Sequence, residues 1–555
     1  MGIVKIDLLG LGMMAVLEES LKIIREDYGE EVDLAHLPAY DRDVYETLCK
    51  ADTVGMFQIE SRAQMSCLPR LRPNCFYDIV VQVAIIRPGP IVGQMVNPYL
   101  KRRQKREPAE CLHPSLEPVL SRTLGVPLFQ EQLLRMAMIA AGFTGGEAEE
   151  LRRAFGFKRS EKRMKEVEVK LRRGMEQNGI HGATQDTIVQ SITSFALYGF
   201  PESHAASFAL LAYASAYLKC HYLAAFTAAM LNNQPMGFYN AATLVKDAQR
   251  HGLKVRPIDV TCSDWLCRLE KDGERMVMRL GLRYVKGLRQ EIALGLLEQR
   301  SMHPFASIED LKLRVPAIQK NELATLAAIG ALNFITAESG QHRRGIHRRD
   351  ALWQIERASR RAGPLLERAA LEDAALETSA PDGAATDSLG ERELSVSAGA
   401  TVPRAISSRE SDSPLQPMTT EERLVADFRG TGMTVGPHPM AYHRAELRKR
   451  GIRSANELGT IPDGTWVRIA GSVIARQRPG TAKGFVFLSI EDETGISNAI
   501  ITPKLFEQDH VVVVHKQFLL IEGPLQNQDN VISVKAARVR PLSITRAETV
   551  SHDFH

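Results

Sequence analysis

The sequence predicts a multidomain α+β protein that is mainly helical and ends in a small β-barrel. Three observations lead to this fold class. A length of 555 residues predicts three or four domains. Helical periodicity with loops marked by proline and glycine is dense from about 21 to 270, and the pattern changes to period two between 465 and 540.

The N-terminal end is predicted to close one domain before the helical part begins. Ile3, Val4 and Ile6 form a short strand that carries Asp7 to its end, where glycines turn the chain. A lone aspartate in that position is normally structural, for example a helix cap. The predicted segments are 1–20, the end of this domain; 21–270, helical; 271–335, a compact helical unit; 336–425, a linker; 426–460, a small helical segment; 461–545, the barrel; and 546–555, a tail.

Two of these segments are predicted from composition and pattern. The linker is rich in Ala, Arg, Glu and Ser and poor in large apolar residues, so we expect it to be disordered after a helical start. The barrel is predicted from five short period-two runs joined by Gly and Asn turns.

Charge and cysteine content exclude several classes of protein. The 70 basic residues are balanced by 66 acidic ones, so any contact with nucleic acid must come from local patches. The seven cysteines are scattered and are predicted to be reduced. The most apolar stretch, 207–218, is interrupted by Lys219 and His221, so it predicts a buried helix and no membrane span. These features predict a cytoplasmic protein.

A dense basic cluster follows one well-marked helix. Thr144 and Glu147 have capping-box spacing, and Gly156 can end the helix. Arg152 and Arg153 lie in the last turn, where the helix dipole favours cations. The dipole does not explain the whole cluster, for which a triphosphate and a solvated face remain equally good interpretations. Its other members are Lys158, Arg159, Lys162, Arg163 and Lys165.

Two further segments could carry chemistry. The prolines of Arg87-Pro-Gly-Pro90 would hold Arg87 on a rigid loop. The following run includes Lys101, Arg102 and Arg103 and is either a DNA-backbone contact or a solvated surface. His204 lies at the start of a helix after the Gly199–Pro201 turn, where a histidine is usually packed but could contact a sugar or phosphate.

Five motifs follow one another along the chain: Met56-Phe-Gln-Ile-Glu-Ser-Arg62, Arg87-Pro-Gly-Pro90, Phe129-Gln-Glu-Gln132, Leu151-Arg-Arg-Ala154 and Tyr198-Gly-Phe with Ser203-His204. In this order they resemble the fingers of bacterial C-family DNA polymerases, the polymerase III alpha type. The resemblance implies that Arg152, Arg153 and Lys158 hold the triphosphate of an incoming dNTP, with His204 near its sugar. It also implies that Arg62 and Arg87 lie in the same cleft.

The resemblance also implies a role for Asp7. The string Lys5-Ile-Asp7-Leu-Leu-Gly-Leu11 is similar to the palm strand that supplies the last of three metal-binding aspartates. The implied cofactor is Mg²⁺ in a two-metal site, with only one ligand in this chain. Because the resemblance covers the downstream part of the family's polymerase, we expect most of the palm and the phosphoesterase-like domain to be missing. We therefore expect this chain alone to extend primers feebly or not at all.

Two C-terminal segments resemble DNA-binding modules. Lys286 and Gly287 fit the first hairpin of a tandem helix-hairpin-helix, although Arg289 stands where the family usually has a second glycine. An ordinary helical pair remains the alternative. The barrel resembles an OB-fold, in which Arg476, Lys483 and Phe485 could bind single-stranded DNA, although strand aromatics are more often core residues.

The implied function is template-directed DNA synthesis in error-prone, damage-tolerant replication. The error-prone branch is favoured by Thr431-Gly-Met-Thr-Val-Gly-Pro-His-Pro-Met440 and by the terminal Ser551-His-Asp-Phe-His555. The implied partners are primer–template DNA, dNTPs and single-stranded DNA; the sliding clamp and other mutagenesis proteins are further candidates. The alternative is a non-catalytic DNA-binding module made of the helix-hairpin-helix and the OB-fold.

Overall fold

The computed structural model describes residues 8–86, 93–156, 161–196, 200–335, 346–359, 415–543 and 551–554. Asp7, Arg87 and Lys158 therefore lie outside the described residues. The chain divides into two compact units. The larger contains Met1–Pro257, Leu266–Gly281 and Gly432–His555, and the smaller contains Ile258–Trp265 and Leu282–Thr431.

The N-terminal part of the larger unit is helical, as the periodicity predicted. Its helices are α1 (Leu11–Ile23), α2 (Arg42–Cys49), α3 (Arg62–Leu71), α4 (Phe76–Ile85), α5 (Gly93–Arg103), α6 (Glu117–Leu120), α7 (Gln130–Ala141), α8 (Gly145–Gly156), α9 (Glu161–Gln177), α10 (Gly182–Ala196), α11 (Glu202–His221), α12 (Leu223–Asn232) and α13 (Ala241–Arg250).

Helix α11 packs in the first core of this unit through a strip of alanines. Ala205, Ala209, Ala212 and Ala216 are fully buried and share a core with residues of α2, α3 and α4. Methyl side chains let neighbouring helices approach closely, which suits a helix with apolar residues on several faces. The buried helix predicted at 207–218 lies within α11.

A second core is formed by α7, α8, α9 and α10. Gly174 of α9 is the point of closest approach, because a Cβ atom there would lie 2.1 Å from the carbonyl oxygen of Ala141. Any side chain at this position would force α9 away from the end of α7.

A small sheet follows α13 and was not predicted from the sequence. Strand β3 (Arg275–Arg279) pairs in parallel with β1 (Val255–Arg256) and antiparallel with β2 (Arg268–Asp272). This sheet occupies positions that the sequence analysis assigned to helical segments.

The C-terminal part of the larger unit is a sheet domain, as predicted. Strand β5 pairs antiparallel with β6 and with β8; β6 pairs antiparallel with β7, β7 pairs in parallel with β9, and β9 pairs antiparallel with β8. The barrel and the OB-fold stay predictions. The elements are α19 (Arg444–Lys449), β4 (Ile452–Arg453), β5 (Trp466–Gln477), β6 (Val486–Glu491), β7 (Ile496–Ile501), α20 (Pro503–His515), β8 (Phe518–Gln528), β9 (Val531–Lys535), β10 (Arg538–Pro541) and β11 (His552–Phe554).

The smaller unit is helical. Its helices are α14 (Gln290–Met302), α15 (Ile308–Arg314), α16 (Lys320–Ala328), α17 (Arg348–Ser359) and α18 (Thr420–Thr431). Within the described residues, no helix combines the length and the apolar character that crossing a bilayer requires.

Candidate functional site

A row of aromatic rings in edge-on and tilted contact, which contains His204, lies at the N-terminal turns of α11. The His204 ring lies 5.0 Å from the ring of Phe200 and 4.2 Å from that of Phe208, measured between centroids. The Phe208 ring in turn makes an edge contact with Phe57 at 5.2 Å. Two motifs that are far apart in the sequence therefore meet here, and His204 is half-buried with an aromatic neighbour on each side.

The loop that carries Phe57 is held by buried polar groups. Both carboxylate oxygens of Glu60 accept main-chain hydrogen bonds, from Gly55 at 2.8 Å and from Phe238 at 3.1 Å. Ser215 of α11 accepts a hydrogen bond from the Phe57 amide at 3.1 Å. Burial raises the pKa of Glu60 to about 7, because water no longer solvates its charged form. The sequence analysis did not identify Glu60 as a positioning residue.

The Phe129–Gln132 motif connects this row to α7. Gln132 accepts hydrogen bonds from the amides of Leu128, at 2.7 Å, and Phe129, at 3.1 Å, and so fixes the start of α7. The Gln130 amide donates to the Phe200 carbonyl at 3.0 Å, and the Glu131 carboxylate accepts from the Glu202 amide at 2.9 Å. The start of α7 is thereby joined to the start of α11.

Helix α8 presents the two predicted triphosphate ligands. Its start has the predicted capping box, since the Thr144 amide donates to Glu147 at 2.8 Å and the Glu147 amide donates to the Thr144 hydroxyl at 3.4 Å. Near its end, Glu149 accepts two hydrogen bonds from Arg152, at 2.9 and 2.6 Å, and one from Arg153 at 3.3 Å.

A single carboxylate thus neutralises one of two arginines. The hydrogen bonds from Arg152 lower the pKa of Glu149 to about 2. The pKa of Arg152 is raised, chiefly by the same hydrogen bond and in smaller part by the charge of Glu131. Glu131 therefore links the charge on α8 electrostatically to the start of α11.

Arg62 contacts the C-terminal sheet. Its guanidinium carbon is 4.2 Å from the centroid of the Phe487 ring on β6. Loss of hydration lowers its pKa to about 10, so it remains protonated at neutral pH. The contact is a cation–π interaction; a nucleotide contact by Arg62 stays a prediction.

The predicted basic run on α5 makes internal contacts. Lys101 pairs with Glu107 at 2.6 Å. Arg102 donates to the carbonyls of Glu110 and Leu124, at 3.0 and 2.6 Å. Arg103 donates to the Leu71 carbonyl at 3.2 Å and to the buried Asp78 carboxylate at 2.6 Å. These guanidinium groups hold loops together, so the DNA contacts predicted for this run stay predictions.

In the smaller unit, the predicted first hairpin lies directly before α14. Gly287 has φ +80°, which an L-residue rarely adopts. The Lys286 amide donates to the Gly430 carbonyl at 2.7 Å, and its ammonium group to the Phe428 carbonyl at 3.2 Å. Both donor groups of Lys286 are thus bonded within the smaller unit, and its DNA contact stays a prediction.

Arg289, which stands where the family pattern has a glycine, joins the start of α14 to α16. Its guanidinium donates to both carboxylate oxygens of Glu322, at 3.0 and 2.9 Å, and to the Ala317 carbonyl at 2.8 Å. The Glu322 side chain is only 1% exposed and also accepts from the Gln319 amide at 2.8 Å. Arg289 therefore provides a link between α14 and α16 that a glycine could not make.

The three residues predicted to bind single-stranded DNA on the C-terminal sheet are not alike. Arg476 is buried and donates to the carbonyls of Val513 and Lys516, both at 2.7 Å, and to Ser551 and Asp553. Lys483 is exposed, and Phe485 is half-buried. Arg476 thus fixes α20 and β11, and only the other two are available at the surface.

One group in the described part of the chain has the composition of a metal site. Asp52, Asp247 and His251 bring potential ligand atoms within 4.8 Å of one another. The ammonium group of Lys219 lies 2.8 Å from Asp247 and 3.7 Å from Asp52, and His251 contacts Asp52 at 2.5 Å. Because Lys219 already supplies a cation, this is a partly buried ion network and does not fit Mg²⁺.

Comparison with known families matches two parts of the chain. Residues 13–179 match the family described as "Bacterial DNA polymerase III alpha subunit finger domain". Residues 252–345 match the family described as "Helix-hairpin-helix motif". The second match agrees with the predicted tandem hairpins.

Curated relatives match over the full chain. The error-prone DNA polymerase of Anaeromyxobacter sp. (strain K) is 43% identical over 572 residues, which cover 100% of this chain and 46% of the relative. Error-prone DNA polymerase 2 of Rhizobium meliloti (strain 1021) is 42% identical, with 99% and 47% covered. The error-prone DNA polymerase of Dechloromonas aromatica (strain RCB) is 42% identical, with 100% and 49% covered.

Similarity to solved structures is slight. A crystal structure of asparaginyl-tRNA synthetase from Pyrococcus horikoshii matches 17% of this chain and 23% of its own, with 22% identity and a TM-score of 0.14, which supports no fold assignment.

The chain spans about half the length of the curated relatives it matches. With 42–43% identity to them throughout, the chain resembles the matching half of bacterial error-prone DNA polymerases, and residues 13–179 match the finger domain of the DNA polymerase III alpha subunit.

Proposed function

We propose that this chain supplies the nucleotide-binding and DNA-binding part of an error-prone DNA polymerase. The whole protein would transfer a nucleotide from a dNTP to a primer 3′-hydroxyl on a template, in damage-tolerant replication in the cytoplasm. The observation that carries the proposal is the meeting of three distant motifs at the start of α11. One of them contributes Glu131, whose charge acts on Arg152, one of a pair of arginines that share a carboxylate.

The α8 arginines are suited to a triphosphate. Glu149 holds both guanidinium groups in place, but a triphosphate has a larger negative charge and more acceptor oxygens than one carboxylate. A bound triphosphate would therefore draw Arg152 and Arg153 away from Glu149. The half-buried ring of His204 would then contact the sugar or base beside it.

The chemistry proposed for the described residues is limited to binding and orientation. Mg²⁺ supplies charge stabilisation at the transferring phosphoryl group in such reactions. Asp7 remains the proposed ligand. The group of Asp52, Asp247 and His251, which has the composition of a metal site, is already paired with Lys219.

The remaining segments are proposed to hold DNA. The pairing order β5–β6–β7–β9–β8, with β8 returning to β5 and α20 between β7 and β8, supports an OB-fold. Lys483 and Phe485 would contact single-stranded DNA there, and the hairpin at Gly287 would contact a backbone phosphate. The proposed domain layout is the series of seven predicted segments that begins with 1–20 and ends with 546–555. The sliding clamp remains a candidate partner.

Nucleotide affinity tests this proposal. Fluorescent dNTP binding would be measured with the chain, primer–template DNA and magnesium. Replacing Arg152 and Arg153 by alanine removes charge-assisted hydrogen bonds of about 1.5–3 kcal/mol each, so we expect affinity to fall at least about 100-fold. Arg173→Ala is the matched control, because Arg173 is an exposed arginine on the neighbouring α9. Equal affinities of the double variant and the control would contradict the proposal. DNA binding that ignores dNTPs altogether would favour the non-catalytic module.

A further inference from the structure

A basic groove lies where α3, α5 and the β8–β9 turn meet in the larger unit. Its main cleft has a volume of about 1060 Å³ and is continued by a second cleft of about 520 Å³. Both clefts are lined by Pro69, Arg72 and Asn74. We name the two together the Arg72 groove.

The groove contains more cations than its own carboxylates can neutralise. Six basic residues line the main cleft, and the two acidic residues that line it are Glu107 and Asp529. Glu107 pairs with Lys101, which does not line the cleft. The basic residues are Arg70, Arg72, Arg102, Arg103, Lys105 and Arg106.

Two of these cations have no partner in the described part of the chain, and a third has a donor atom without a hydrogen bond. The side chains of Arg72 and Lys105 are exposed and make no hydrogen bond or ion pair with any described residue. The Nε atom of Arg70 is buried and has no hydrogen-bond partner in the described part of the chain. A buried donor without a partner is costly, so an acceptor is expected to satisfy it in the working state.

Asp529 already occupies an anion position in the groove. It forms a two-residue β-turn with Asn530, since Gln528 pairs with Val531 and the two turn residues have φ of +56° and +62°. Its carboxylate pairs with Arg106, and one oxygen lies 4.0 Å from Arg70 Nε. The turn thus directs one negative charge towards the basic residues.

The second cleft adds an aromatic side chain to the basic ones. Tyr40 lines it and is 78% exposed, and Lys50 is an exposed cation beside it. A series of cations that ends at an exposed ring is the arrangement with which proteins bind single-stranded nucleic acid, through phosphates and through base stacking.

We propose that the Arg72 groove binds the phosphodiester backbone of single-stranded DNA, with Asp529 as an internal competitor for the same cations. The proposal rests on the proposed DNA-binding function and adds Arg70, Arg72 and Tyr40 to the predicted basic run that contains Lys105. Arg72, Lys105 and Arg70 contact successive phosphates, and Tyr40 stacks on a base. The groove therefore joins α3 and α5 to the turn of the C-terminal sheet along one strand.

The test is the affinity of the whole chain for a labelled oligothymidylate of about 20 nucleotides, followed by fluorescence anisotropy over a range of salt concentrations. The double variant Arg72→Gln with Lys105→Gln removes two phosphate contacts. We expect about tenfold weaker binding, with the slope of log affinity against log salt reduced by about 1.4. Lys449→Gln on α19 removes an exposed cation elsewhere and should leave binding unchanged.

Asp529→Asn provides the opposite change. Asparagine tolerates the left-handed conformation of the turn, so the fold is kept while the competing charge is removed. We expect binding several-fold tighter than that of the unaltered chain. A double variant that binds like Lys449→Gln, or an Asp529→Asn variant that binds no tighter, would overturn the proposal.

Further outcomes distinguish a free phosphate ligand from a DNA strand. They also distinguish failure of the groove assignment from failure of the proposed function. If pyrophosphate binds more tightly to Asp529→Asn while oligonucleotide affinity is unchanged, the ligand is a free phosphate and the strand proposal is wrong. If the unaltered chain binds no DNA at all, the proposed function itself fails. If it binds DNA and the double variant binds equally well, only the groove assignment fails.

Discussion

Replacing Glu60 by glutamine should change how the stability of the larger unit depends on pH. Glu60 is buried and has a pKa raised from 4.5 to about 7 by desolvation. Between these two values the unfolded chain has lost a proton that the folded chain keeps, so raising the pH favours unfolding. The loss between about pH 4.5 and pH 7 amounts to about 3 kcal/mol, since each pKa unit corresponds to about 1.4 kcal/mol.

Glutamine removes this titration and adds a constant cost. The Glu60 carboxylate accepts from two amides, Gly55 and Phe238. Because the glutamine side chain has one acceptor oxygen, one amide would face its NH₂ group, at about 1–3 kcal/mol. The Glu60→Gln variant should therefore be less stable than the unaltered chain at pH 5 and similar to it or more stable at pH 8.

Urea unfolding at pH 5, 6, 7 and 8 measures this difference. Glu18→Gln is the control, because Glu18 is an exposed glutamate on α1. The gap between the Glu60→Gln variant and the control should close by about 3 kcal/mol as the pH rises. Parallel pH profiles of the two variants would refute the assignment of a raised pKa to Glu60.

Two further substitutions test contacts within the separate units. Arg289→Gly leaves the buried Glu322 carboxylate without its guanidinium partner. The unfolding free energy of the smaller unit, measured in urea, should therefore fall by about 2 kcal/mol. Unchanged stability would mean that Arg289 does not link α14 to α16. Arg250→Met removes the partner that lies 2.8 Å from buried Glu491, whose pKa is about 7. Its cost should be about 3 kcal/mol at pH 8 and smaller at pH 5, where Glu491 is protonated, and a larger loss of melting temperature at pH 5 would contradict this account.

The strand pattern of the C-terminal sheet could be predicted from sequence because its signal is local. The five predicted runs fall on β5 to β9, since alternate residues such as Val486, Leu488 and Ile490 are buried on one face. The β2–β3 hairpin gave no comparable signal. Its strands, Arg268–Asp272 and Arg275–Arg279, are rich in charged residues that pair across the hairpin, as Arg279 does with Glu270.

The roles of basic residues were harder to predict, because a charge run does not reveal its partners. Arg103 contacts Leu71 and Asp78, which lie at least 25 positions away in the sequence. The partner of Arg289 is Glu322, 33 positions away. By contrast, the pairing of Glu149 with Arg152 and Arg153 follows from helical spacing of three and four residues and could have been predicted.

The Arg72 groove is a site that the sequence pattern concealed. Arg70 and Arg72 stand in an ordinary helix end, and Asp529 lies more than 400 positions further on. Only the folded chain brings the turn of the C-terminal sheet to the end of α3. Sites built from such distant segments have no local periodicity or motif from which to predict them.

Photo-crosslinking with a dATP analogue that carries an azidoanilide on its γ-phosphate directly tests whether Arg152 and Arg153 bind the triphosphate. With primer–template DNA and magnesium present, digestion and mass spectrometry would locate the modified residues. If these arginines bind the triphosphate, the labels should fall at the end of α8, around Arg152 and Arg153. The labels should disappear when excess unlabelled dATP competes. Competable labels that fall elsewhere and leave α8 unmodified would contradict the nucleotide-binding role of these arginines.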